Sequence, residues 1–461
     1  MIFLPDNLSE YESTVAIVDE KNNSVSYGEL VRDVSAFASK FKADKKLVFL
    51  LCANQYQTIV SYLACLDSQC PVLLLDCKIE DELLNALLDT YNPNVIINAV
   101  GEIVTRHEVK LDIANDISLL MSTSGTTGSP KLVKLSEDNL KSNALAISEY
   151  LNITPDDCAI TSLPFSYSYG LSVINSYLTS AAKIVLTDDS LLSKEFWKKI
   201  KEHHVTSFAG VPYTFEMLKK LKYARFDTSS IRYVTQAGGR LDTDTKRYML
   251  NECLSKGQEF VVMYGQTEAS PRISYVPFSQ LENKIDSIGL AVPNGELFLL
   301  NSDGQYVECA GVEGEIFYRG PNVMLGYASN LQELASVDDA PTQLATGDLG
   351  YFDEDGFFYI TGRAKRFIKI FGLRIGLDEI EHWLKRSGYN VISTGEDNLL
   401  LLFTDDSDVD LNIIKKAVSQ KFGININYIK AFLVDSLPRL SSGKINYKDL
   451  IEEYHSSEVK F

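Results

Sequence analysis

The sequence predicts an α/β protein in two parts. A large N-terminal domain of layered α/β subdomains carries a small β-barrel-like unit, and a small, mobile α+β C-terminal domain follows. Three observations lead there. Short apolar, β-type runs alternate with amphipathic segments through most of the chain, the pattern of layers built on largely parallel strands. Between Gly289 and Tyr359 strand–turn–strand signals crowd together at Asn294-Gly295, Ser302-Asp-Gly304 and Asp353-Glu-Asp-Gly356, which marks an antiparallel unit. A chain of 461 residues also exceeds the about 250–300 residues that one core commonly serves.

In chain order, strands are expected at Leu47–Cys52, Pro71–Leu75, Asn94–Asn98 and Lys183–Leu186, where apolar residues run together and both faces are to be covered. Amphipathic spacing predicts helices over Asp81–Tyr91 and Ser193–His203. After Arg363 the pattern returns to strand and helix, with helices near Leu377–Ser387 and Asp408–Phe422, then a glycine-bearing loop, Leu440-Ser-Ser-Gly-Lys444. A boundary at Lys365 gives domains 1–364 and 365–461. There is no internal repeat and no low-complexity tract.

Composition narrows the function classes. Net charge is −18 and the pI about 4.8, which excludes a broad nucleic-acid footprint, since that needs basic patches. A local lysine or a backbone nest can still hold an anion inside an acidic protein. Met-Ile-Phe-Leu-Pro-Asp lacks the basic and apolar regions of a signal peptide, and runs such as Leu47–Ala53 are too short to span a bilayer. Seven scattered cysteines contain no CxxC pair, so neither a zinc site nor a disulfide framework is suggested, and a reduced, cytoplasmic protein is expected.

The most informative stretch is Ser122-Thr-Ser-Gly-Thr-Thr-Gly-Ser-Pro-Lys131, directly after the apolar run Ile117–Met121. Hydroxyls and backbone N–H groups suit phosphate oxygens, Gly125 and Gly128 allow close approach, and Lys131 adds a positive charge. A flexible Ser/Gly turn is the competing reading. The common P-loop is excluded: Ser129 and Pro130 separate Gly128 from Lys131, Leu132 follows the lysine, and Pro130 disfavours helix at Ser129.

Three further stretches bear chemistry. Tyr264-Gly-Gln-Thr-Glu-Ala-Ser270 follows the apolar strand Phe260–Met263, at the kind of strand end where open α/β sheets bind ligands. Glu268 suits Mg²⁺; equally, Thr267 and Glu268 suit an ordinary helix N-terminus. Thr346-Gly-Asp-Leu-Gly350 and Thr361-Gly-Arg363 bring an acid and a base to neighbouring turns, fit for ribose hydroxyls and a phosphate, or for plain turn chemistry. Lys444 in Ser-Ser-Gly-Lys can deliver a point charge to a transition state, although a solvated loop lysine is the commoner case.

Together and in order, these segments resemble the adenylate-forming superfamily of acyl-CoA synthetases, peptide-synthetase adenylation domains and firefly luciferases. The resemblance runs nearly end to end. Ser26-Tyr-Gly-Glu-Leu30, Ser122–Lys131, Tyr264–Ser270, Gly314-Glu-Ile through Gly326-Tyr327, Thr346–Asp348, Gly362-Arg363, Lys369-Ile-Phe-Gly372 and Ser442-Gly-Lys444 match its motifs.

The resemblance implies ATP-dependent activation of a small carboxylic acid as an acyl-adenylate, with pyrophosphate released. The acyl group then passes to a thiol, either coenzyme A or the phosphopantetheine of an acyl carrier protein. It implies Mg²⁺ at Glu268, with Lys444, Thr267 and Glu268 catalytic. ATP or AMP would be held by Thr123, Ser124, Gly125, Thr126, Thr127, Gly128, Lys131, Gly238, Gly239, Tyr264, Gly265, Gln266, Asp348, Tyr359 and Arg363. Tyr167, Ser168 and Gly238 would line the acyl pocket, Lys365 would be the hinge, and Lys369 and Gly372 would line the thiol tunnel.

Departures from the pattern bear on the substrate. In Leu163-Pro-Phe-Ser-Tyr-Ser-Tyr-Gly-Leu171, Tyr167 stands where the acyl-CoA synthetase pattern has His, and Leu132 replaces the glycine after Pro-Lys. Amino-acid-activating relatives place an Asp at the position of Ser168 to pair the substrate ammonium. Without it a buried ammonium is left unpaired, which is costly, so a non-amino acid is expected. An amino-acid adenylating enzyme serving a carrier protein, and a non-catalytic nucleotide-binding relative, are the alternatives.

Overall fold

The computed structural model describes the chain apart from residues 1–2, 6, 42–44, 123–130, 339, 365, 371–372, 397, 441–442 and 459–461. Contacts divide it into two units, Met1–Leu297 with Tyr318–Leu344, and Phe298–Phe317 with Ala345–Phe461.

The first unit holds two mixed sheets. One has seven strands, in the order Tyr327–Ala328, Leu132–Leu135, Leu119–Ser122, Val72–Asp76, Val48–Cys52, Val95–Ile97 and Ile103–Thr105. Its centre is parallel, and its strands are apolar on both faces, as parallel strands covered on two sides must be. Along Val48–Cys52, alternate residues enter two different cores. Val48, Leu50 and Cys52 pack in one with Val72 and Leu74; Leu47 and Phe49 pack in the other with Leu73 and Leu75.

The other sheet has nine strands, running Leu290–Ala291, Arg272–Tyr275, Glu259–Gly265, Tyr233–Gln236, Ser207–Gly210, Cys158–Ile160, Lys183–Val185, Val15–Val18 and Ser24–Ser26. The helix Tyr27–Ala38 starts on a capping box, in which the Ser26 hydroxyl accepts from the Glu29 N–H and the Glu29 carboxylate accepts from the Ser26 N–H. That reciprocal bond gives Ser26-Tyr-Gly-Glu-Leu30 a local structural purpose. The helices expected over Asp81–Tyr91 and Ser193–His203 form over Asp81–Tyr91 and Lys194–Glu202.

The second unit takes in the small antiparallel β unit, a four-stranded sheet in the order Glu296–Leu300, Gly314–Arg319, Leu344–Phe352 and Phe358–Arg363. The chain passes between units inside the first three of these strands. Beyond it, Phe367–Ile370 pairs with Leu373–Gly376, and Ile392–Glu396, Leu399–Thr404 and Ile429–Leu433 form a three-stranded sheet. The helices Leu377–Arg386 and Leu411–Phe422 cover a separate small core around Ile380, Leu384, Leu400, Ile414 and Val418. No described helix is long and apolar enough to cross a membrane.

Candidate active site

The strand Glu259–Gly265 ends in a 3₁₀ turn, Thr267–Ala269, not in an α-helix, so Glu268 is not a helix-cap residue. This path requires glycine at 265, where a Cβ would collide with the Pro271 carbonyl oxygen. The Gln266 N–H donates to that same carbonyl at 2.9 Å. The segment after Gly320 clamps the turn from outside. Met324 N–H donates to the Glu268 carbonyl at 2.9 Å, and Asn322 Nδ2 donates to the Ala269 carbonyl at 2.6 Å.

Side chains converge on this turn. Tyr327 Oη donates to Glu268 Oε1 at 2.8 Å, and Lys131 Nζ sits 3.5 Å from the centroid of the same phenol ring. Burial, then the Glu268 charge, hold the Tyr327 phenol well above its ordinary pKa, so it remains a neutral donor. A carboxylate and an ammonium thus flank one aromatic ring, which keeps the two opposite charges near each other without an ion pair between them. Lys131 emerges directly before the buried strand residue Leu132, which pairs with Ser122 on one side and Ala328 on the other.

Thr267 Oγ1 lies 3.3 Å from Ser168 Oγ, at the first residue of the helix Ser168–Thr179. Tyr167, just before that helix, faces Gly238, where the backbone has φ +84° and a Cβ would lie 2.6 Å from the Tyr167 hydroxyl oxygen. Only glycine suits that conformation and that gap. Burial raises the Tyr167 phenol to about 12 against the opposing pull of Arg272, so at neutral pH it is no base of the kind a histidine would be. A Cβ on Gly239 would lie 3.2 Å from Pro212 Cγ, and Gln236 Nε2 donates to the Gly239 carbonyl at 2.9 Å. Tyr264 pairs in register with Ser274, and Gln266 Nε2 is buried with no partner among the described residues. The first unit therefore brings Lys131, Glu268, Thr267 and Ser168 into one run of contacts, and sets Tyr167 against Gly238.

In the second unit Asp348 and Arg363 are register partners on adjacent strands, and Arg363 Nε donates to Asp348 Oδ1 at 3.1 Å. Asp348 is buried while Arg363 is largely exposed, so the guanidinium reaches inward to the carboxylate. Thr346 Oγ1 donates to the Ile316 carbonyl at 2.7 Å and accepts from the Asp348 N–H at 3.1 Å, fixing the turn. Tyr359 stacks on Tyr351 at 5.0 Å and donates to Asp353 Oδ2 at 2.9 Å. Lys444 is exposed at a tight hairpin. There Leu440 N–H donates to the Lys444 carbonyl at 2.8 Å, and Gly443 takes φ +78°. Thr123, Ser124, Gly125, Thr126, Thr127, Gly128, Lys365 and Gly372 lie outside the described residues, as does the side chain of Lys369.

Two side chains of the first unit were not singled out by the sequence. Tyr327 closes the Gly314–Tyr327 motif, and its place in that motif is the signal that it serves the site. Arg272 interrupts a strand of small and apolar residues, Ser270-Pro-Arg-Ile-Ser-Tyr275, and is buried there. A charged residue inside such a run is itself a signal.

Known proteins resemble this chain in sequence and in fold. The family model for AMP-binding enzymes fits residues 102–328. A 4-coumarate–CoA ligase of rice, Oryza sativa subsp. japonica, is 30% identical over 366 residues, covering 74% of this chain and 67% of that protein. An indoleacetate–CoA ligase of Aromatoleum aromaticum is 32% identical over 271 residues, 58% of this chain and 52% of its own length. The chain thus spans about half to two thirds of the length of these curated relatives. Among solved structures, ATP-bound MatB from Rhodopseudomonas palustris superposes with a TM-score of 0.79 at 22% identity, covering 98% of each chain. The o-succinylbenzoate CoA synthetase of Bacillus subtilis with its acyl-adenylate superposes with a TM-score of 0.76 at 23% identity, covering 96% of each chain. The chain belongs to the AMP-binding enzyme family, the adenylate-forming ligases.

Proposed function

We propose that this protein is an AMP-forming acid–thiol ligase. The observation that carries the proposal is the Lys131–Tyr327–Glu268 arrangement at the end of the strand Glu259–Gly265. A polyphosphate with its divalent cation presents both signs of charge, and this turn offers a cation and a carboxylate side by side. The relatives named as CoA ligases point the same way.

The donor set fits magnesium. Among the described residues no cluster of three His, Cys, Asp or Glu side chains is arranged to cage a metal. A single carboxylate that completes its shell with phosphate oxygens and water is the pattern magnesium accepts, and Glu268 would hold it there. When bound, Mg²⁺ supplies charge neutralisation on the phosphates. The chain's own residues do the rest. Lys131, Thr126 and Thr127 would bind the β- and γ-phosphates, Tyr264 would stack on adenine beside Gly238, Gly239, Gly265 and Gln266, and Asp348, Tyr359 and Arg363 would hold the nucleoside.

The substrate carboxylate attacks the α-phosphorus, pyrophosphate leaves, and Lys444 would neutralise charge where the two meet. With the acyl-adenylate formed, rotation at Lys365 of the part beyond it would withdraw Lys444 and admit a thiol along Lys369 and Gly372. The thiol then attacks the acyl carbonyl and AMP departs. Coenzyme A is the acceptor favoured by the CoA-ligase relatives; a carrier-protein phosphopantetheine arm is the second. Ser168 in place of an acid disfavours α-amino acids. The scatter of the seven cysteines along the sequence favours a reducing, cytoplasmic setting.

ATP–pyrophosphate exchange across aryl, short-chain, long-chain and amino acids tests the reading. Acid-dependent exchange is expected, with AMP and not ADP as the nucleotide product. An ADP product, or exchange driven best by an α-amino acid, would refute it.

A further inference from the structure

Arg272 is only 2% exposed, in the strand Arg272–Tyr275. Its backbone is pinned from two sides: its carbonyl accepts from Asn143 Nδ2 at 3.1 Å and from Asn322 Nδ2 at 2.7 Å. The side chain lies against the helix Ser168–Thr179, its guanidinium carbon 4.7 Å from the Tyr169 ring centroid and Nη2 3.4 Å from Ser172 Oγ. Among the described residues, Nε is buried with no partner and no carboxylate pairs with this arginine.

A guanidinium keeps its charge at any pH a protein survives, so burial without a counter-charge is costly. The surrounding phenols do not supply one. Burial raises Tyr150 and Tyr167 to about 12, with Arg272 pulling each the other way, and Tyr169 is raised further. All three are neutral near pH 7. A buried cation ringed by neutral groups is a site for an anion.

Its place says which anion. Arg272 is the register partner of Gly265, two residues before Thr267. Ser168 meets Thr267, and Ser172 meets Arg272. These serines lie four residues apart on one helix, hence roughly 6 Å along its axis. We propose that Arg272 receives the second carboxylate of a short dicarboxylic acid whose first carboxylate reacts beside Thr267. This rests on the ligase reading and names its substrate class. A planar guanidinium offers parallel N–H donors that match a carboxylate, and Ser172 Oγ, which donates to the Tyr169 carbonyl at 2.7 Å, accepts from Nη2 and steadies the fork.

The test compares acids of equal chain length: succinate against butyrate, glutarate against valerate, adipate against hexanoate. Each is measured by ATP–pyrophosphate exchange with the full chain, Arg272→Lys and Arg272→Met, and folding is checked by circular dichroism. The wild type should favour one diacid over its matched monoacid, and Arg272→Met should lower that ratio by roughly 10²-fold. Arg272→Lys keeps the charge but loses the fork, so it should fall between. Should Arg272→Met fail to fold, the wild-type panel and Arg272→Lys decide. Exchange driven by monoacids and slow with every diacid would overturn the proposal and leave the ligase reading standing. No exchange with any acid would overturn both.

Discussion

Removing the hydroxyl of Tyr327 probes the site most cleanly, because Tyr327→Phe keeps the ring that faces Lys131 and deletes only the donor to Glu268. That bond is 2.8 Å long and ends on a carboxylate, a class whose net value is about 1.5–3 kcal/mol. Tyr327 is half-buried, so water can partly replace the lost donor and the lower end applies. At about 1.4 kcal/mol per factor of ten, exchange should fall roughly 10-fold. Because Glu268 is the proposed metal ligand, the loss should concentrate at limiting Mg²⁺ and shrink as the metal is raised. Tyr327→Ala also removes the ring beside Lys131, and for an exposed lysine that adds about 0.5–1 kcal/mol, a further few-fold. Exchange rates at several Mg²⁺ concentrations, with melting curves as the control, read this directly. If folded Tyr327→Phe stays within about twofold of wild type at the lowest metal concentration, the hydroxyl does not position Glu268.

Other perturbations separate the remaining roles. Glu268→Gln should keep the fold, since Tyr327 can still donate to the amide oxygen, yet lose adenylation through loss of the charged metal ligand; unchanged exchange at limiting Mg²⁺ would remove the assignment. Lys444→Ala should cut exchange by roughly 10²-fold, the scale of losing one electrostatic donor. Supplied with pre-formed acyl-AMP, the same variant should still make thioester, and equal loss of both half-reactions would argue against a lysine that serves only the first. Gly238→Ala places a Cβ against the Tyr167 hydroxyl and strains a positive φ, at a cost of about 1–2 kcal/mol. Its melting temperature should drop and its KM for the acid rise, whereas wild-type values for both would mean that Tyr167 yields freely.

The large units of the fold were readable because parallel strands must be apolar on two faces. Leu47–Cys52 and Pro71–Leu75 state this in six and five residues. The replacement of glycine by Leu132, a departure from the family pattern, has a physical reason: a β-strand begins at once after Lys131, and Leu132 is its first buried residue. At Glu268 the sequence suits a helix cap and a ligand site equally; the chain forms a 3₁₀ turn there, held by Pro271, Asn322 and Met324. What periodicity could not contain is contact between distant stretches. Tyr327 meets Glu268 across 59 residues, and Arg272 meets Ser172 across 100. Neither pairing follows a helical or strand repeat. The grouping of residues 298–317 with the C-terminal part is of the same kind, a matter of which surfaces meet.

The clamp on the 267–269 turn also bears on the heat and entropy of ligand binding. The segment 322–327 grips the turn at two backbone carbonyls, and at the Glu268 carboxylate itself, so the acid is held in place before any nucleotide arrives. A ligand that meets a freely rotating glutamate must freeze it and give up part of its affinity in doing so. Here that freezing is done while the chain folds. Nucleotide association should therefore carry little ordering penalty from this turn. Calorimetry on a variant with Asn322 shortened to Ala should show the missing penalty as a less favourable binding entropy.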